Sequence, residues 1–540
     1  VPANKPRSWH PALVLAAGLL ALSGCETMPT RATGASPADA TAALPTGPTG
    51  ALPPPSTRSW PGEEQDVLNE RAKDFGLVNA PEAQVYLNKL YARIKDKAGV
   101  PGWPGAVYLL ADQSLNAYAT GSGNIYLSIP WLTSVESEDE LVALLSHEFA
   151  HIYLHYHLLD TAIQDADSVM GLSGAAYALV KKTADMKGWN KLDSLMAVYV
   201  LGRGAAATQY GRSQESAADM FGLNLSLKLG YSYEHGMKAF LERLASWEES
   251  NAALEKQRQE ALVEEVRKQA RDETMRDSAK RGGNALIAKG AGELNAGIHG
   301  FFKQVGIGVE NFSARLASRH PDTTQRISAL AQAVAPVPAL LAPVEPTTAP
   351  LDKARREKGT AELLANYELA FQAIAAPAEP ASLTLAQKAA TGRTSTHAVP
   401  LFALYSVFEA QPAAMGKKRF DPALLLDRNL ESAPDRAWRV YMVRSGGLKG
   451  GRRADARKIL EVGLQHFQNA EEAWPDAVRF YGETQGWDEA KKMASNCGQR
   501  FRRVSQRCTS AAASPAERAA QEKQSEQKAN SMVEKLFKKK

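Results

Sequence analysis

Two histidines and a glutamate, in the order His147-Glu148-Phe149-Ala150-His151, are the residues of this 540-residue chain best placed to do chemistry. On a helix, side chains four apart stand one turn apart on the same face, so His147 and His151 can grip one metal ion from one side. A catalytic zinc takes three protein ligands and keeps a fourth position open for water, and Glu148, beside the first histidine, can take the proton from that water. The third ligand must come from elsewhere. In Ser213-Gln214-Glu215-Ser216-Ala217-Ala218-Asp219, Glu215 can fill that place. Asp219, one turn on, can accept a hydrogen bond from the far nitrogen of a ligating imidazole and fix its tautomer. A glutamate and an aspartate at this spacing also describe an ordinary solvated helix face, and it is the company of the His-Glu-x-x-His pattern that favours ligation. His155 and His157 extend the histidine run and are expected to be structural.

These groups need helices to hold them. Ser137 followed by Glu138, Asp139 and Glu140 has the form of a helix N-cap with acidic residues in the first turn, where they suit the positive end of the helix dipole. Leu141, Leu144, Leu145, Phe149, Ile152 and Leu154 then give the segment a broad apolar surface, so the histidine pair is expected on a mostly buried helix. Glu215 and Asp219 open a second apolar, helix-compatible run.

His147, Glu148, His151, Glu215 and Asp219 together resemble the M48 zinc metallopeptidases, most closely their periplasmic, BepA-type branch. The resemblance covers roughly residues 64 to 332. Asn116-Ala117-Tyr118-Ala119 and Gly123-Asn124-Ile125-Tyr126-Leu127 resemble the family's strand before the zinc helix, an edge strand that binds substrate backbone. That likeness implies substrate contacts at Asn116, Gly123, Asn124 and Ile125. Ser318-Arg319-His320-Pro321, with Thr323 and Arg326 following, resembles the family's H-P-x-x-x-x-R segment. His320 could donate a hydrogen bond to the reaction's oxyanion, could occupy the open metal position and hold the enzyme latent, or could simply cap a loop. Arg326 is expected either to pair with a site carboxylate or to lie exposed on its helix. The resemblance implies a zinc endopeptidase with one Zn2+ per chain. It also implies an α+β fold, with a mainly helical zincin-like (gluzincin) peptidase domain containing a small sheet.

The first residues suggest export. Lys5 and Arg7 precede the apolar run 12–22, which suits a signal sequence better than a membrane span. Leu22-Ser23-Gly24-Cys25 resembles a lipobox, in which Cys25 carries the lipid, and Glu26 after it favours the outer membrane, facing the periplasm. The expected organisation is a signal at 1–24, a flexible tether at 25–60 rich in Ala, Pro, Thr and Gly, and a peptidase domain at 61–335 with an insertion at about 246–300. A Pro-rich linker at 336–355, a helical domain at 356–510 and a polar tail at 511–540 follow. No later segment reaches 18 uninterrupted apolar residues, so an anchored rather than spanning protein is expected, unlike the Ste24 and HtpX branches. Cys497 and Cys508 are a candidate disulfide for an oxidising compartment.

A 34-residue repeat marks the C-terminal block: Ala456, Leu460, Gly463 and Phe467 recur as Ala490, Ala494, Cys497 and Phe501. It resembles a degenerate tetratricopeptide (TPR) repeat, implying stacked helical hairpins with a surface for peptides or partner proteins; an unrelated helical bundle is the alternative. The composition, 44% hydrophobic and 23% charged with net charge +5, is that of globular domains and carries no nucleic-acid signature. Two functions follow. The first is an envelope endopeptidase for unfolded or misassembled polypeptides, with outer-membrane assembly machinery as a possible partner of the repeats. The second is a chaperone or assembly factor with little turnover.

Overall fold

The computed structural model describes residues 47–55, 60, 62–154, 212–250, 323–416, 420–518 and 520. Cys25, His155, His157, most of the expected insertion and most of the polar tail lie outside the described residues. The described residues fall in one compact unit. No described helix is long and apolar enough to cross a membrane.

The architecture is mainly helical with one small sheet, the α+β class expected. Helices α1 (Glu63–Arg71) and α2 (Pro81–Lys97) come first. Strands β1 (Val107–Leu110), β2 (Ala117–Ala119) and β3 (Ile125–Ser128) follow, then the short α3 (Ile129–Ser134). Helix α4 (138–154) carries the His-Glu-x-x-His pattern. Beyond it lie α5 (Arg212–Lys228), α6 (239–250) and α7 (Thr323–Val334).

The sheet order is β1-β3-β2, with β3 parallel to β1 and antiparallel to β2. The Gly123–Leu127 segment, expected at an edge, therefore runs into the central strand, and the edges are β1 and β2. Backbone bonds from Val78 to Leu109 and from Ala111 to Gly76 cover part of β1's outer side. Acidic side chains hold α1 to the sheet. Asp66 Oδ2 accepts from Thr120 Oγ1, Asn124 Nδ2 and Tyr126 Oη, each at 2.8 Å, and Glu70 accepts from the Tyr118 hydroxyl at 2.5 Å.

The start of α4 shows why its sequence stops and turns there. Ser137 Oγ accepts from the Glu140 N–H at 3.1 Å, as an N-cap does, and donates to the His235 carbonyl at 3.0 Å. The three acids after it do more than favour the dipole. Glu138 accepts from the Tyr86 and Tyr231 hydroxyls, Asp139 from the Ser232 and Thr347 N–H groups, and Glu140 from both Arg243 and the Glu136 N–H. Together these buried carboxylates tie α4 to α2, to residues 231–232, to Thr347 and to α6, which a lone dipole effect would not do.

The Pro-rich stretch 336–355 is also tied to this point. Thr347 gives its N–H to Asp139 and takes the Glu138 N–H at 2.7 Å. Helix α8 (Ala349–Arg356) begins inside that stretch, and Arg355 on it donates to the carbonyls of Leu132 and Val135, both at 2.6 Å. Helices α9 (Lys358–Ala375), α10 (Pro380–Ala389) and α11 (Ala398–Ala410) come next. One apolar core runs without interruption from Leu87 and Ile94 through Phe149 and Phe221 to Tyr367 and Val440, so these helices fold on the peptidase.

After α12 (Asp427–Glu431), the C-terminal helices pair as hairpins: α13 (Trp438–Leu448) with α14 (Arg453–His466), then α15 (Trp474–Gln485) with α16 (Trp487–Arg500). Helix α17 (Ser505–Ala511) packs against the second pair. The 34-residue period places Ala456 and Ala490, both fully buried, at equivalent points of α14 and α16. Gly463 lets α14 lie against the Tyr441 ring, since a Cβ there would stand 2.8 Å from the ring. Cys497 and Cys508 are joined in a disulfide across a Cα separation of 6.4 Å. Helix α1 touches this end too, through Asn69, which donates to Glu471 Oε1 at 3.0 Å and accepts the Glu471 N–H at 3.2 Å.

Residues 47–53, within the expected flexible tether, are bonded to α4 and α5. A Pro- and Gly-rich segment has no core of its own, but its carbonyls are free to be taken by donors on the domain.

Candidate metal centre

Helix α4 presents His147 and His151 one turn apart, and α5 crosses it with Glu215 and Asp219 facing them. All four are buried. His147 Nε2 and His151 Nε2 lie 3.2 Å apart. Glu215 places Oε2 3.6 Å from His147 Nε2 and Oε1 3.6 Å from His151 Nε2. Ligand atoms bound at about 2.0–2.1 Å to a tetrahedral zinc are about 3.3–3.4 Å from one another; the two imidazole nitrogens stand near that spacing, and one atom from each of the three residues lies within 4.8 Å of the others. Among the described residues, these three side chains are the group able to hold a metal.

Asp219 stands behind the first histidine. His147 Nδ1 lies 2.9 Å from Asp219 Oδ1. A proton on Nδ1, facing Asp219, would leave the Nε2 lone pair turned to Glu215 and His151. Lone pairs and carboxylate oxygens converging in a buried space repel unless a cation sits among them. The residues present therefore fit zinc.

Arg326 on α7 completes the group. It grips Asp219 at two points, Nε to Oδ2 at 2.7 Å and Nη2 to Oδ1 at 2.6 Å, and its Nη1 lies 3.3 Å from Glu215 Oε2. Burial opposes the charge on Asp219, but Arg326 and His147 outweigh it and hold the carboxyl at about 2. Of the two expectations for Arg326, the buried pairing is what the structure contains. Glu148 behaves differently. Burial and the neighbouring Glu215 push its carboxyl up to about 7, against the pull of His147, and near neutrality a carboxylate can both accept a proton and return it.

The residues expected to touch substrate are placed less uniformly. Asn124 is fully buried and its amide is committed, the oxygen to the Ala106 N–H and the nitrogen to Asp66. Gly123 sits at a positive φ of 86°, with its carbonyl taken by the Tyr91 hydroxyl at 2.8 Å. Ile125 is buried on the central strand, its N–H bonded to the Ala106 carbonyl. Asn116 alone is half-buried, at the start of the edge strand β2. His320 lies outside the described residues.

Gly222 is a site residue that pattern reading misses. A Cβ there would stand 3.0 Å from the backbone nitrogen of His147 and 2.8 Å from the Met237 methyl, so α5 can approach α4 at the first ligand only because this residue is glycine. The signal was available, since Gly222 follows Glu215 by seven and Asp219 by three and so shares their helix face. Phe240 on α6, with its ring 5.6 Å from that of His147, had no such signal.

With this geometry in hand, the family model for peptidase family M48 matches residues 81–334. Residues 81–334 are an M48 peptidase domain. M48 peptidases are zinc metallopeptidases, and the M48 domain here carries the donor set that zinc needs. Relatives named beta-barrel assembly-enhancing protease are 25% identical over 171 residues in Escherichia coli strain K12 and 24% over 172 in Yersinia pestis. A Vibrio cholerae protein, whose name carries that description provisionally, is 27% identical over 172 residues. Each alignment covers 31% of this chain and 34% of the relative, so the chain spans about a third of the length of the curated relatives it matches.

Proposed function

We propose that this chain is a zinc endopeptidase that hydrolyses unfolded or misassembled polypeptides in the bacterial cell envelope. The observation that carries this reading is the buried triangle of His147, His151 and Glu215 with Glu148 beside it and the Asp219–Arg326 pair behind it. His147, His151 and Glu215 would hold the zinc, which would supply Lewis-acid polarisation of water and the scissile carbonyl. Glu148 takes the proton from the attacking water and passes it to the leaving amine. Asp219 keeps His147 in the tautomer that binds through Nε2, and Arg326 balances the two acids.

Substrate backbone is best received at β2. The backbone bonds from the Ser128 N–H to the Asn116 carbonyl and from the Thr120 N–H to the Asn124 carbonyl turn the 116 and 120 backbones towards β3. By the alternation of an antiparallel ladder, Ala117 and Ala119 direct theirs outward, where an extended peptide can add as a further strand.

The relatives' names support work on outer-membrane proteins or their assembly, and the C-terminal helical hairpins provide a surface for docking substrates or assembly machinery. Export, with a lipid on Cys25 and an outer-membrane location facing the periplasm, belongs to the same proposal. Replacing Cys25 by serine should then release the protein from membranes. The deciding experiment for the activity measures zinc content and cleavage of an unfolded protein by the purified chain and by Glu148→Gln. A zinc-bound parent that cleaves, beside a zinc-bound variant that does not, supports the reading; a parent without zinc or turnover rejects it.

A further inference from the structure

The two helices that carry the metal group are joined by a segment far from them in sequence. Asn224 on α5 is fully buried, two residues past Gly222 and five past Asp219. Its amide nitrogen donates to the carbonyls of Gly47 at 3.2 Å and Gly50 at 2.9 Å, and its oxygen accepts from Lys228 Nζ at 2.7 Å. Lys228 also donates to the Gly50 carbonyl. Three residues on, the Pro53 carbonyl accepts from the hydroxyl of Tyr153 at 2.7 Å. Tyr153 lies on α4, two residues past His151, and its ring stands 4.7 Å from that of Phe221 on α5. Residues 47–53 thus run from α5 to α4 and bond to both.

We propose that residues 47–53 are a strap that sets the spacing of α4 and α5, and that Asn224 and Tyr153 are positioning residues for the zinc group. The inference rests on the metallopeptidase reading above. Its physical basis is the tolerance of the site: Glu215 comes from one helix and the histidines from the other, so a shift between the helices of a few tenths of an ångström changes the separation of Glu215 from both histidines. Polar anchors fix such a spacing more narrowly than the apolar contacts between the helices, because a hydrogen bond depends steeply on distance and angle. A fully buried asparagine is costly unless its amide is satisfied, and here the partners that satisfy it are the strap and Lys228.

The test uses the full-length chain stripped of metal and titrated with zinc against a chromophoric chelator, with unfolding of the metal-free protein followed in parallel. Asn224→Ala and Tyr153→Phe should each weaken zinc binding by about tenfold, the lower end of what outer partners of a metal site contribute. Because both act through one strap, the double variant should lose less than the product of the two single losses. Tyr153→Phe keeps the ring and removes only the hydroxyl, so it reads the strap even if Asn224→Ala does not fold. Unchanged zinc affinity in Tyr153→Phe, or losses that simply multiply, would overturn the strap and leave the metallopeptidase reading standing. A parent chain that binds no zinc would overturn both.

Discussion

Asp219 and Arg326 lie on different helices and meet in a buried, two-point ion pair directly behind His147. Removing the guanidinium leaves Asp219 and Glu215 as facing acids without their counter-charge. Arg326→Ala is expected to destabilise the fold by about 3–5 kcal/mol, the usual result of breaking a buried pair from one side. Denaturant unfolding at neutral pH measures it. Arg326→Lys should rescue little, because an ammonium cannot span Asp219 Oδ1 and Oδ2 as the planar guanidinium does.

The metal ligands and the base should separate cleanly. His147→Ala, His151→Ala and Glu215→Ala are each expected to lose most bound zinc, whereas Glu148→Gln keeps it and loses turnover by at least about 100-fold, the scale of general acid–base catalysis. Metal analysis of the purified variants, set beside their cleavage of an unfolded protein, checks this. Stoichiometric zinc in Glu215→Ala would remove that residue from the ligand set.

Gly222→Ala tests the helix crossing. The added methyl meets the His147 backbone at 3.0 Å and the Met237 methyl at 2.8 Å. A cost of about 1–3 kcal/mol is expected from this overpacking, together with weaker zinc binding as α5 moves outward. An unfolding curve and a zinc titration that both match the parent would show that the crossing absorbs the methyl.

Glu472 sets an acid limit on the C-terminal helices. Burial alone would raise its carboxyl, but Arg507, Lys73 and Arg503 outweigh that and hold it well below its ordinary 4.5. A carboxyl lowered in the folded state contributes its full stability above its unfolded value and loses it as the pH falls towards the folded one. Stability should therefore be flat in this respect above about pH 5 and decline below it. Glu472→Gln should be less stable at pH 7 and show a shallower acid decline, measured by unfolding at pH 7, 5 and 3.

The Cys497–Cys508 disulfide closes a short loop that also contains Arg503 and Arg507, the partners of Glu472. Replacing both cysteines by serine is expected to cost about 2–3 kcal/mol by the loop-entropy model. If the loop positions those arginines, the double variant should also show the shallower acid decline of Glu472→Gln.

Read from the sequence alone, the strongest features were those with a fixed local period. His147 and His151 four apart, Glu215 and Asp219 four apart, and the Ser137 cap each follow from the geometry of one helix turn, which needs no tertiary knowledge. The α+β class and the M48 domain came instead from the family resemblance that these residues carry. What remained hidden depended on segments distant in sequence coming together. The strand order decided that β3 is central, so that Asn124 and Ile125 are spent inside the fold. The crossing of α4 and α5 decided the role of Gly222, and the meeting of α5 with α7 decided that Arg326 is buried against two acids. Residues 47–53 show the same limit: nothing in a Pro- and Gly-rich stretch signals that Asn224 and Tyr153, 174 residues past Gly50 and 100 past Pro53, hold its carbonyls. Local periodicity is written into the chain because the backbone repeats every 3.6 residues. Which surfaces then meet is settled only when the whole core packs.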